Sequence, residues 1–478
     1  MSVPLRRIDE VTWEIPLGAR PGMRVPARLI ADAQLVEALA GDGSLEQLAN
    51  VASLPGIVEP AMAMPDIHQG YGFPVGAVAA TGMEDGVVSP GGVGYDINCG
   101  VRLLALDVSA DELGPSLGRL MDELARSVPS GTGRGGRRRL DGRDLDGVLR
   151  EGAAYAVGEL GLGEEDDLEH TESGGRLPGA DPSRVSARAR DRGADQLGSM
   201  GSGNHFLELQ RVERVEDAAA AGAFGLREGQ VAAMIHTGSR GLGHQVCTDY
   251  VRSMEPRLEG WGIRLPDRQL ACAPISSPEG ADYLAAMACA ANFAWANRQA
   301  IAHQVRRAAG QALGRPGGSA VRQVYDVAHN VAKLEEHGGR RLCVHRKGAT
   351  RAFGPGRGSE LPAAVAGVGQ PVFIPGSMGT GSWVLCGQDR SDELSFGTAC
   401  HGAGRRLSRT QARRQVSGQE VRRRLEEAGI AVRAASARGL AEEAPFAYKE
   451  VDRVVDLVHR AGIARRVARL VPIGVVKG

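Results

Sequence analysis

Short apolar runs recur along the chain, each closed by glycine or proline. They are GYGFPVGAVAAT (70–81), GVRLLALDV (100–108), QVAAMIHTGSRG (230–241), QPVFIPGSMG (370–379) and GSWVLCG (381–387). Their length and boundaries predict strands that feed glycine-rich loops. Apolar residues spaced by three and four predict helices over 110–127, 283–313 and 409–429. The two patterns mix without regular βαβ alternation, which points to an α+β fold. There is no internal repeat. The most apolar stretch, YLAAMACAANFAWANRQAIAHQV (283–305), is rich in alanine and broken by Asn292, Asn297 and Arg298. It predicts a long, closely packed helix of a soluble protein, because no run reaches the ~18 uninterrupted apolar residues of a membrane span.

The stretch 128–200 departs from these patterns. It holds VPSGTGRGGRRRLDGRD, the acidic GEEDDLEH and GGRLPGADPSRVSARARDRGAD, and reads as a solvated excursion or a subdomain. Within it Arg134, Arg137, Arg138 and Arg139 form a cluster suited to holding phosphates. A second basic segment, 405–424, carries Arg405, Arg406, Arg409, Arg413, Arg414 and Arg422 to Arg424. On a helix these would make a basic face near His401, or simply a solvated surface.

Composition narrows the function. At 478 residues, length alone suggests about three domains of roughly 150 residues. Lys+Arg and Asp+Glu both number 57, so no global basic field advertises nucleic acid and any such contact must be local. Aromatics at 4% argue against extensive base stacking. Glycine, 67 of 478 residues, is about twice the usual ~7%. Seven dispersed cysteines and an N-terminus, MSVPLRRIDEVTWEIP, without an apolar signal core lead to the expectation of a cytoplasmic protein.

Candidate chemistry is spread along the chain. GYDINCG puts Asp96 and Cys99 three residues apart, where both can meet one ion. His205 in GSGNHFLEL, His236 in AAMIHTGSRG and His329 in VYDVAHNVAK are each read as following a strand-like apolar run and preceding a turn or a polar segment. A carboxylate, imidazoles and one thiolate suit a borderline divalent ion, with manganese, zinc and iron all compatible. The thiolate can bridge two metals. Five ligands leave open positions for water or phosphate oxygens.

Glycine-rich loops suited to cradling anions occur at 90–94, 198–204, 236–244, 375–382 and 401–406. None has the G-x-x-x-x-G-K-[ST] form of a P-loop. In CHGAGRR, His401 has three open roles: a nucleophile toward an activated phosphorus, a metal ligand, or a general acid. If GNHFLEL is strand throughout, Asn204 and Glu208 share one face and His205 turns toward the metals. Glu208 could then accept hydrogen bonds from a guanine edge.

EIPLGARPGMRVPARL, MPDIHQGYGFPVG, GYDINCGVRLL, GSGNHFLEL, HTGSRGLGHQV, YDVAHN, VHRKGATRA, PGSMGTGSWVL, HGAGR, EEAPFAYKEVD and PIGVVKG together resemble the RtcB family of RNA-splicing ligases, essentially end to end. The resemblance implies one compact α+β domain over 1–478, with packed β-sheets flanked by helices, a deep metal and nucleotide cleft, and 128–200 as an excursion or subdomain. It implies a GTP-dependent ligase with two manganese ions. Such enzymes join RNA ends bearing a 2′,3′-cyclic phosphate or 3′-phosphate to 5′-hydroxyl ends in tRNA splicing or RNA repair, with an archease-type activator as a further partner. His401 would be the guanylylated nucleophile, with Arg405 and Asp66 acting at the RNA end. Asp96, Cys99 and His205 would hold one manganese, and Cys99, His236 and His329 the other. The nucleotide pocket would comprise Asn204, His205, Phe206, Leu207 and Glu208, then His329, Asn330, Pro375, Gly376, Ser377, Met378 and Ser382. His401, Gly402, Ala403 and Gly404 would follow, with Tyr448 against the base and Lys477 on the guanine. A dinuclear metal phosphatase or nuclease acting on RNA ends is the alternative reading.

Overall fold

The computed structural model describes residues 3–131, 133, 135–136, 138–314 and 320–478. It is an α+β fold built on two mostly antiparallel sheets. The first has seven strands, in the order Arg6–Arg7, Thr12–Ile15, Ala27–Ile30, Ile57–His68, Val75–Gly82, Arg340–Lys347 and Asn330–His337. The second runs Val321–Ala328, Gly100–Ser109, Gln230–Thr237, Phe206–Val215, Ala464–Lys477, Ser382–Gly387 and Pro371–Ile374, with Ala431–Ala434 added in parallel to Ala464–Lys477. The apolar runs at 70–81, 100–108, 230–241, 370–379 and 381–387 all contain strands. They read as continuous rather than alternating runs because strands such as Gln230–Thr237 are buried on both faces.

The alanine-rich stretch is the core of one 36-residue helix, Pro278–Leu313. Its small residues let it pack against strands and helices on nearly all sides; every residue from Ala286 to Ile301 is buried. Among the described residues, no helix is long and apolar enough to cross a membrane. The helix expected over 409–429 is two helices, Arg409–Gln415 and Gly418–Glu427. Val416 is extended and Ser417 caps the second helix by accepting from the Glu420 N–H.

The stretch 128–200 is not a solvated loop over its length. It forms the helices Gly142–Glu151, Ala153–Gly158 and Ala187–Gly193, among shorter turns. Leu145, Val148, Leu149, Ala153 and Ala156 share a core with the long helix. Asn292, which interrupts the apolar run, is the fastener: its Nδ2 donates to the carbonyls of Leu149 and Arg150 at 3.0 Å, and its Oδ1 accepts from Leu177 N–H at 2.7 Å. In the arginine cluster, Arg138 pairs with Asp144 at 2.6 Å and Arg139 with Asp191 at 3.0 Å. Arg134 and Arg137 lie outside the described residues.

One joint between the sheets is a single residue. Ala328 ends a strand of the second sheet, Asn330 begins a strand of the first, and His329 stands between them. Beneath this joint is a buried ion network. Asp326 accepts from Arg298 Nε at 2.8 Å and Nη2 at 2.9 Å, and from Arg102 Nε at 2.7 Å. Arg298 reaches on to the carbonyls of Asn98 at 2.8 Å and Thr237 at 2.9 Å, bracing the loops on either side of the candidate ligands. A side chain at Gly100 would strike the Val327 carbonyl at 2.3 Å, so only glycine allows this approach.

Candidate active site

The strand ends of both sheets surround a cavity of about 990 Å³. Asp96, Cys99 and His205 place ligand atoms within 4.8 Å of one another, as do Cys99, His236 and His329. Cys99 Sγ belongs to both groups. It lies 3.5 Å from His205 Nε2 and 3.4 Å from His236 Nε2. His236 Nε2 is 3.3 Å from His329 Nε2.

The protonation pattern favours a cation. The Met200 carbonyl accepts from His205 Nδ1 at 2.9 Å, and Nε2 lies 2.8 Å from Asp96 Oδ2, where a bound ion would take the place of the Nε2 proton. Burial and neighbouring imidazoles hold His236 and His329 well below the usual histidine range, so both are neutral. Burial opposes charge on Asp96, but the hydrogen bond and charge of His205 outweigh it and keep the carboxyl ionised. Burial, then Asp96, pushes the Cys99 thiol well above its ordinary value. A bound divalent ion reverses that last effect, because a coordinating thiol gives up its proton. Lone pairs converging in a buried space from three imidazoles, a carboxylate and a sulfur fit two ions that share the sulfur.

His401 borders the same cavity. Its Nδ1 lies 2.6 Å from Asp66 Oδ2, which also accepts from the His401 backbone N–H at 3.1 Å. The carboxylate thus fixes the tautomer and leaves the Nε2 lone pair free. The His401 and His329 rings are 4.7 Å apart, centroid to centroid. Asp66 is fully buried behind His401 rather than in the cavity wall. Gly404 makes the approach possible: it has φ 74°, and a Cβ there would lie 2.2 Å from the Asp66 carbonyl.

On the other side, Phe206, Glu208, Tyr448 and Lys477 line a second lobe. Glu208 sits opposite Val475 and Phe206 opposite Lys477 in the antiparallel ladder, so Glu208 and Lys477 are near neighbours. Burial pushes Glu208 up to about 8, only partly offset by a 2.6 Å hydrogen bond from Gln210 and by Lys477. Burial pushes Lys477 down to about 8. Lys477 is 2% exposed and hydrogen-bonded into its strand, not a frayed tail. Arg405 is tied down: it donates to Glu443 at 3.0 Å, to the Tyr448 hydroxyl at 3.1 Å and to the Glu442 carbonyl at 2.8 Å.

Most of the expected residues meet at this cavity: Asn204, His205, Phe206, Glu208, His329, Asn330, Pro375 to Met378, His401 to Gly404, Arg405, Tyr448 and Lys477 all line it. Leu207 and Ser382 do not. Leu207 points to the opposite face of its strand, into the core. Ser382 stands one layer back, accepting from Gln210 Nε2 at 2.9 Å and Gly376 N–H at 3.3 Å. The strand begins at Phe206, so Asn204 and His205 belong to a turn and strand alternation does not set their directions. The 90–94 loop is a 3₁₀ turn whose N–H groups are spent internally, with Gly92 on Ser89 O at 3.0 Å and Gly94 on Pro90 O at 2.8 Å.

Sequence reading leaves several lining residues without a role: Tyr95, Arg240, His244, Lys347 and Glu443. Lys347 and Glu443 fall within VHRKGATRA and EEAPFAYKEVD, but a lone lysine or glutamate carries no local signature. Burial pushes Lys347 down to about 7, and its ammonium is bound by the Tyr71 and Gly91 carbonyls.

The family model described as tRNA-splicing ligase RtcB matches residues 47–478. A tRNA-splicing ligase RtcB from Thermococcus kodakarensis is 56% identical over 481 residues, covering 100% of this chain and 99% of the relative. One from Archaeoglobus fulgidus is 54% identical, covering 99% of each. An RNA-splicing ligase RtcB from Mycobacterium tuberculosis is 55% identical over 90% of this chain and 100% of its own length. With a family match over most of the chain and relatives this similar end to end, the chain belongs to the RtcB family.

Proposed function

We propose that this RNA ligase works through a guanylylated His401, with GTP as the nucleotide and manganese as the metal. The observation that carries the reading is the Asp66–His401 pair: Nδ1 is pinned at 2.6 Å, so Nε2 faces the cavity as a lone-pair donor beside the imidazole–thiolate cluster. His401 Nε2 attacks the α-phosphorus of GTP, the bond to the β-phosphate oxygen breaks, and pyrophosphate leaves. A 2′,3′-cyclic phosphate at the RNA end is first hydrolysed: water adds to phosphorus, the bond to the 2′-oxygen breaks, and a 3′-phosphate and a 2′-hydroxyl result. That phosphate takes GMP from His401, and the 5′-hydroxyl of the second RNA then displaces GMP to form the phosphodiester.

Asp96, Cys99, His205, His236 and His329 would hold the two ions, which when bound offset phosphate charge and stabilise the leaving group. Asp66 holds the imidazole orientation and stabilises its positive charge as the new bond forms. Glu208, as a carboxylate, accepts from the guanine N1–H and 2-amino group, which adenine cannot supply together. Lys477 and Tyr448 close the same lobe. The seven cysteines are all unpaired, which supports a reducing, cytoplasmic setting.

The test is incubation with α-labelled GTP and manganese. Label is expected on the wild-type protein and none on His401→Ala. RNA with a 3′-phosphate and RNA with a 5′-hydroxyl should be joined by the former only. Joining or phosphate release by an enzyme that never carries label would favour the phosphatase or nuclease reading.

A further inference from the structure

The cavity has a third wall, made of rings, that neither the metal cluster nor the Glu208–Lys477 lobe uses. Tyr95 directly precedes Asp96. Its ring stacks on His244, with centroids 5.9 Å apart and planes at 28°. Tyr71 meets Tyr95 edge-on at 5.2 Å and 62°. From behind, Tyr95 leans on the buried cluster of Cys247, Val251 and Ala271. The backbone under Tyr71 is fixed by Lys347, whose Nζ also donates to Gly91 O at 3.1 Å. The pair is therefore braced before any ligand arrives, while Tyr95 and His244 border the cavity and His244 is exposed.

Two guanidinium groups stand beside this wall, across from the Asp96 carboxylate that also acts on His244. Arg240 lines the cavity with its Nε on Ser199 Oγ at 3.2 Å, and Arg192 is held by Gln245 Oε1 at 3.0 Å; both stand close to His244. Open aromatic faces flanked by guanidinium groups match a base on its phosphate backbone, since every base presents a π face. Position selects the base. Tyr95 and Asp96 are adjacent residues, about 3.8 Å apart at Cα. A phosphate held at the Asp96 group has its own nucleoside within reach of Tyr95. The Glu208 lobe lies past the other side of the cluster, where Phe206 packs edge-on against His236 at 5.3 Å.

We infer that the Tyr95–His244 pair is a stacking platform for the nucleobase of the RNA's 3′-terminal nucleotide, the one that bears the phosphate to be activated. The inference rests on the ligase reading above and adds to it a subsite for the donor strand. The platform recognises the presence of a base rather than its identity, because stacking uses the ring face and leaves the hydrogen-bonding edge unread. The low aromatic content of the chain agrees with a single such position.

The experiment measures binding of full-length, manganese-loaded protein to three fluorescent 3′-phosphate RNAs. One is intact, one is abasic at the terminal nucleotide, and one is abasic three nucleotides inward. Wild type should bind the terminal abasic RNA roughly 5- to 100-fold more weakly than intact RNA, the size expected of one stacked base. The internal abasic RNA should bind like intact RNA. Tyr95→Leu should bind intact and terminal abasic RNA equally, and Tyr95→Phe should restore the difference. Wild-type indifference to the terminal base overturns the inference, as does full base dependence in Tyr95→Leu. Dependence on a base of the 5′-hydroxyl strand instead also overturns it. Binding does not require nucleotide transfer, so labelling of His401 by α-labelled GTP on the same preparations reports separately on the proposed function.

Discussion

The two lobes of the cavity handle charge in opposite ways. In the histidine lobe, protonation is settled before a ligand arrives. His205 and His401 have their Nδ1 protons assigned by the Met200 carbonyl and Asp66, and His236 and His329 are neutral. In the Glu208–Lys477 lobe, burial brings an acid and a base together near a common value of about 8, so their charge remains adjustable. A rigid lobe suits a phosphorus that must be met in line. An adjustable lobe suits a base edge whose binding completes the charge balance.

Perturbing the nucleophile should separate the lobes most sharply. His401→Ala is expected to reduce guanylylation by at least about 10⁴-fold, while GTP affinity, measured by calorimetry, shifts only a few-fold. Asp66→Asn keeps the shape but loses the anion that fixes the tautomer. Single-turnover labelling should fall by roughly 10²- to 10⁴-fold, with metal content by mass spectrometry unchanged. Asp326→Ala tests whether rigidity of the histidine lobe rests on the ion network beneath it. Stranding Arg102 and Arg298 in the core should lower unfolding free energy by about 3–5 kcal/mol in denaturant titrations.

The adjustable lobe gives smaller, pH-dependent effects. Glu208 is protonated below about 8, and the proposed contact with guanine needs its carboxylate. GTP affinity should therefore rise as pH climbs toward 8, by up to tenfold per unit, with proton release seen as a buffer-dependent heat of binding. The sign for stability is opposite. The folded value of Glu208 lies above its unfolded value, so its contribution is full below the unfolded pKa and is lost as pH rises through about 8. Glu208→Gln should flatten the GTP profile and weaken binding about tenfold, the scale of one charge-assisted hydrogen bond. The smallest effect is expected from Arg138→Ala with Arg139→Ala. Both already pair with aspartates at the surface, so the slope of RNA affinity against salt should change by less than about one ion per arginine.

The histidine lobe was the more legible half because each of its histidines stands at or next to one end of a buried strand: His205 just before Phe206–Val215, His236 near the close of Gln230–Thr237, and His329 just after Val321–Ala328. Asp96 and Cys99 were legible as a spacing. What a single sequence could not show is second-layer geometry. Asp66 lies in an apolar strand 335 residues from His401, and nothing local in MPDIH announces their hydrogen bond. Asn204 lines the cavity with Glu208 as expected, although it stands in a turn before Phe206, where strand alternation does not set its direction. The helices of 142–193 were hidden by short turns and surface arginines, since their apolar faces are few and are completed by the long helix. Arg405 stands out locally as a phosphate binder, yet Glu443, nearly forty residues on, already engages it.

His329 is a hinge pin as well as a candidate ligand. It is a one-residue link between a strand of one sheet and a strand of the other, with its N–H on the Cys99 carbonyl at 2.9 Å and its own carbonyl accepting from Ala349 at 3.1 Å. An ion gripped there fastens the two sheets to each other across their shared edge. On the proposed two-metal reading, loading would double as assembly: the chain's early and late halves must both be in place before the last nitrogen is offered, and stripping the ion should loosen the hairpin 330–347 ahead of either sheet's interior.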